Sequence, residues 1–72
     1  MMYQVGQIWR IGNNPLNCFM ENGDAITIYS CNLLIKDKFE MYGWQQVIAL
    51  SLNSGQVYRI YLSEFSTKCL RL

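Results

Sequence analysis

The chain has 72 residues, 51% of them hydrophobic and 15% charged, with a formal net charge of +1. Few charges among many apolar side chains exclude a disordered chain, and near-neutrality excludes a polycation that holds nucleic acid or anionic membrane by bulk charge. The length sets the expectation of one domain over 1–72.

In chain order, Val5-Gly6-Gln7-Ile8-Trp9-Arg10-Ile11 predicts a first strand, and Ile11 to Pro15 reads as a loop by composition. Asn22-Gly23 is a hairpin signal, because both residues tolerate the positive φ of a two-residue type I′ turn. It predicts a hairpin from Leu16 to Cys31, with Glu21 opposite Asp24, Met20 opposite Ala25, Phe19 opposite Ile26, Cys18 opposite Thr27 and Asn17 opposite Ile28. Phe19, Ile26 and Ile28 then share one face, with Cys18, Met20, Thr27 and Tyr29 on the other.

Asn32 to Gly43 admits two structures. Asn32 could cap a short helix from Leu33 to Tyr42 that ends at Gly43. The alternation of Lys36, Lys38 and Glu40 with Ile35, Phe39 and Met41 favours extended or hairpin-like chain instead.

A second hairpin joins Gln45–Leu52 to Gln56–Leu62. A three-residue loop, Asn53-Ser54-Gly55, sets Leu50 opposite Tyr58, Ile48 opposite Ile60 and Gln46 opposite Leu62. Ile48, Leu50, Leu52, Tyr58, Ile60 and Leu62 then face the core, and Val47, Ala49, Val57, Arg59 and Tyr61 face outward. Leu62 to Thr67 predicts one helical turn capped by Ser63, and Lys68 to Leu72 a last strand.

The chain is therefore expected to be all-β, with five to six strands and one short helical turn before the last. This order resembles the small SH3-like barrels, a likeness carried by most of the chain in outline rather than by one motif. The resemblance implies that Lys68–Leu72 closes onto Val5–Arg10. The peptide-binding branch of that family is a poor match: there is no Ala-Leu-Tyr-Asp-Tyr-like segment, no adjacent tryptophan pair and no acid-rich first loop. The OB fold is the alternative architecture, and the clustered aromatic-basic strands of its cold-shock members are missing here. Val5–Arg10 and Ser54–Phe65 also resemble segments of small proteins carried by bacteriophages and other mobile elements, which implies action by binding.

The inventory argues against catalysis. There is no histidine, so Ser-His and Cys-His pairs and the commonest zinc ligand are excluded. Cys18, Cys31 and Cys69 form no Cys-x-x-Cys pair and read as reduced, buried thiols of a cytoplasmic protein, without metal or cofactor. Glu21 and Asp24 belong to a turn, and Asp37 and Glu40 to a solvated, charge-alternating stretch. Met1-Met2-Tyr3-Gln4 lacks the pattern of a secretory leader, and no apolar run approaches a membrane span, so neither a membrane nor a small-molecule substrate is expected.

Ten aromatic residues exceed what so small a core hides. The candidate protein-contact residues are Trp9, Tyr29, Val47, Val57, Arg59 and Tyr61, for a foreign protein or for a homo-oligomer. The alternative is single-stranded nucleic acid on Arg10, Lys36, Lys38, Arg59, Lys68 and Arg71, with aromatics to stack on bases. The even charge balance weighs against it.

Overall fold

The computed structural model describes residues 3–72; Met1 and Met2, where part of the leader argument rests, lie outside them. The chain forms strands β1 Ile8–Ile11, β2 Leu16–Met20, β3 Ala25–Ile28, β4 Asn32–Met41, β5 Trp44–Ser51 and β6 Val57–Tyr61, then helix α1 Leu62–Lys68 and strand β7 Cys69–Arg71. All strand pairs are antiparallel, in the order β3-β2-β6-β5-β4-β1-β7. The mainly β class, the helical turn and the pairing of last strand with first agree with expectation. Among the described residues the strands number seven, and β3 and β7 remain as edges, so the sheet curls into a half-barrel without closing.

The additional strand comes from Asn32 to Gly43. It is extended, and Tyr42 and Gly43 turn it back on β5 with φ of +54° and +80°. Two successive left-handed residues make the type I′ turn whose twist suits a two-residue hairpin. Gly43 thus turns a hairpin rather than ending a helix. At the other end, β1 begins only at Ile8, because Val5 and Gly6 form a turn with Gly6 at φ +93°.

Both predicted registers are off by one residue. In the first hairpin Leu16 pairs with Ile28, Asn17 with Thr27, Cys18 with Ile26 and Phe19 with Ala25. The loop holds three residues, Glu21-Asn22-Gly23. The Gly23 N–H donates to the Met20 carbonyl, and the Asp24 N–H to the Asn22 side chain, so Asn22 acts through its amide and only Gly23 takes positive φ. Cys18 therefore joins Ile26 and Ile28 on the inner face, and Phe19 turns outward.

In the second hairpin Gln46 pairs with Tyr61, Val47 with Ile60, Ile48 with Arg59, Ala49 with Tyr58 and Leu50 with Val57. The loop is Leu52-Asn53-Ser54-Gly55. Ser51 Oγ accepts from the N–H groups of Asn53 and Ser54, and the Gly55 N–H donates to the Ser51 carbonyl. Ser51 so caps a helix-like turn that Gly55 ends at φ +78°. Bonds between Asn32 and both Leu52 and Asn53 fasten the loop to β4. Val47 and Ala49 go into the core, and Ile48, Leu50 and Leu52 are displaced from it; Tyr58 and Ile60 face inward as expected.

The core runs through the concave side of the sheet. Its largest fully buried side chains are Phe65, Leu16, Leu33, Ile35, Ile60 and Val47. Phe65, from α1, enters the core in edge contact with Tyr3 at 5.3 Å and Trp9 at 5.5 Å between ring centres. Ser63 is not the helix cap, since Tyr61 holds that position without a side-chain bond. The helix is secured instead by Glu64, which accepts from the Asn17 N–H of β2 at 2.9 Å and pairs with Lys68 at 2.7 Å.

Candidate functional site

Residues opposite one another in an antiparallel pair share a face. The observed registers therefore assemble the convex side residue by residue. Phe19 of β2 lies beside Arg59 of β6, Arg59 beside Ile48 of β5, Val57 beside Leu50, and Leu50 beside Leu34 of β4. Tyr61, Trp44 and Met41 extend that side toward the β4–β5 turn. Gln46, opposite Tyr61, and Asp37, opposite Ile48, also fall on it, so this is a second, mainly apolar face, on a sheet whose first face already encloses the core.

Its rings form a chain across three strands. Tyr61 meets Phe19 edge-on at 5.8 Å and Trp44 at 6.0 Å. The Arg59 guanidinium carbon lies 5.3 Å from the Phe19 ring centre, a cation–π arrangement. Arg59 Nε is buried and, among the described residues, the only buried side-chain polar atom without a hydrogen-bond partner. Trp44 is 63% exposed and Tyr61 39%.

Of the residues singled out from the sequence, Val57, Arg59 and Tyr61 come together on this face. Trp9 and Val47 do not. They are 3% and 1% exposed, and a partner cannot reach them. Trp9 packs on Tyr3 and Phe65 and donates its indole N–H to Gln7, while Val47 was misplaced by the one-residue register error. Tyr29 is 68% exposed in the turn after β3 and takes no part in the ring chain. Trp44, one of the aromatics expected to stay partly exposed, and Phe19 were not among the candidate contact residues. The signal that finds Trp44 is Tyr42-Gly43, a glycine-containing turn between two alternating runs.

The structure does not gather the cations. Arg10 lies on β1, Lys36 and Lys38 on β4, Arg59 on β6 and Arg71 on β7, while Lys68 is engaged by Glu64. Trp9 is the residue opposite Arg71, and Leu70 the one opposite Arg10, so these two arginines project to opposite faces. Partial burial pushes the Glu64 carboxyl up, but the Lys68 ammonium and the Asn17 N–H together hold it below the usual glutamate range. Among the described residues no three His, Cys, Asp or Glu side chains gather as metal ligands.

Compared with protein-family models, with curated proteins and with solved structures, the chain matches none.

Proposed function

We propose that the chain is a non-catalytic protein-interaction module on an SH3-like barrel, and that the convex face holds its partner. The barrel assignment is supported by a helical turn leading into a last strand that pairs with the first. The interaction assignment rests on one observation: the continuous Trp44–Tyr61–Phe19 ring chain, topped by Arg59, on a side of the sheet that the fold leaves open. Trp, Tyr and Arg are the residue types that dominate interface energetics.

Covering the exposed parts of Trp44 and Tyr61 removes roughly 200 Å² from water and stabilises a complex by about 5 kcal/mol. Association costs a similar amount in lost freedom, so the surrounding Ile48, Leu50 and Val57 must join the contact. The partner that fits is an apolar protein surface carrying an acceptor for the Arg59 guanidinium. The resemblance of Val5–Arg10 and Ser54–Phe65 to mobile-element proteins makes a host protein in the bacterial cytoplasm the natural target.

The test is affinity capture from the source cells, with Trp44→Ala/Tyr61→Ala as the control. Wild type retains a partner that the double variant loses. If the double variant retains every partner, or wild type retains none, the proposal fails. Single-stranded DNA is probed alongside; binding at low salt that weakens steeply as salt rises would transfer the face to nucleic acid.

A further inference from the structure

The β4–β5 hairpin projects past the rest of the sheet. β1 pairs with β4 only at Asn32, Leu33 and Leu34, and backbone bonds from Gly6 and Gln7 extend the contact to Ile35. A bulge follows between Ile35 and Asp37. From Asp37 to Met41, β4 pairs with β5 on one side, and among the described residues no strand pairs with the other. The two-residue turn makes Met41 and Trp44 a hydrogen-bonded pair, so alternation directs the Lys38 and Glu40 backbone groups to the open edge. In agreement, the Lys38 N–H bonds to no strand but to the carboxylate of Asp37, at 2.8 Å.

We propose that this edge pairs with the same edge of a second copy, antiparallel about a twofold axis at Phe39. Charge selects both the partner and the register. Outward backbone groups must meet one another, which leaves few alignments of Lys36, Lys38 and Glu40. One sets Lys38 opposite Lys38, with Lys36 opposite Glu40 on either side, another Glu40 opposite Glu40, and a third Lys36 opposite Lys38; each places at least one pair of like charges face to face. The remaining alignment sets Lys38 opposite Glu40 twice, once on each side of the axis. It brings two Phe39 side chains together in the close, non-hydrogen-bonded position and makes four backbone hydrogen bonds, each Lys38 N–H passing from the Asp37 carboxylate to the second copy. Lys38 and Glu40 are exposed and, among the described residues, in no ion pair within the chain. Lysine on an edge usually guards against strand addition. A guard repels in every register, whereas this edge leaves one that holds opposite-charge pairs and no like-charge pair. The contact uses the edge of β4 rather than the Trp44–Tyr61–Phe19 chain, so it stands apart from the partner assigned above.

The experiment is molecular mass by sedimentation equilibrium, with circular dichroism confirming that each variant folds. Wild type is expected at twice 8.4 kDa at a concentration on the order of 100 µM, above the micromolar range of weak interfaces. Lys38→Glu and Glu40→Lys each place like charges in the selected register and weaken the dimer at least tenfold. The double exchange, and an equimolar mixture of the two single variants, restore it. Trp44→Ala/Tyr61→Ala leaves it intact. A wild type that stays at 8.4 kDa, single variants that dimerise as wild type does, or a mixture that stays monomeric would each overturn the proposal. So would a dimer lost in Trp44→Ala/Tyr61→Ala but kept in Lys38→Glu, which would assign self-association to the convex face.

Discussion

Cys18 and Cys69 sit in the core, Cys69 opposite Ile11 on β1. Burial pushes the Cys18 thiol up to about 11 and the Cys69 thiol up to about 12, with repulsion from Cys31 and Glu64 adding to it. Both are protonated at neutral pH and unreactive, because the thiolate is the nucleophile. Native protein treated with Ellman's reagent near neutral pH should release one fast equivalent, from half-buried Cys31, and three after unfolding. Fast reaction of Cys18 or Cys69 in the native state would contradict their placement. The sign of the linkage follows. The folded thiols titrate above the ordinary value of 9.0, so the stability they contribute is complete below that pH. It is lost as pH rises from 9.0 toward 11, where the unfolded chain ionises first. Reading these cysteines as apolar core residues needed only their neighbours in sequence. Trp9 shows the opposite case: its burial depends on Tyr3 and on Phe65, 56 positions away.

At the scale of the element, the β4–β5 turn is the most instructive. Tyr42 adopts φ +54° and is 93% exposed, so its ring packs against nothing that would offset the backbone cost. A left-handed conformation costs a residue with a Cβ about 1–2 kcal/mol, and asparagine bears it best. Tyr42→Asn should therefore raise stability by about 1 kcal/mol and the melting temperature by roughly 4–8 °C for a chain of this size. A thermal melt followed by circular dichroism checks this; an unchanged or lower midpoint would mean that Tyr42 holds the turn in another way. β5 was only partly legible because its larger residues, Ile48 and Leu50, alternate with the smaller Val47 and Ala49, and the smaller set is the buried one. Leu52-Asn53-Ser54-Gly55 becomes a four-residue loop because Ser51 caps it and Asn32 anchors it.

At the scale of the molecule, 72 residues leave little stability in reserve, roughly 4–11 kcal/mol at 0.05–0.15 kcal/mol per residue. Phe65 is fully buried in the core, and truncating such a ring costs about 3–5 kcal/mol. Phe65→Ala should consume about half of the total, visible as a large fall in the urea midpoint. Leu70→Ala, on the open edge strand and 51% exposed, should leave that midpoint nearly unchanged. Equal effects would place the core elsewhere. The same economy shapes the surface. One face of the curled sheet encloses the core, α1 packs into that side, and among the described residues no element covers the convex side.

Composition and alternation by themselves determined the mainly β class, the order of elements, the late helical turn and an excess of apolar residues beyond the needs of one core. Those properties are local, set by side-chain type and by glycine at the turns. Tertiary structure alone decided which apolar set is buried. A strand has two faces, and one residue more or less in a loop exchanges them. The lengths of the two loops were settled by hydrogen bonds that the Asn22 and Ser51 side chains accept and by the tie to Asn32 across the sheet. Val47 and Ala49 went inside for that reason, and Phe19 and Trp44 came to stand with Arg59 and Tyr61 on the open face.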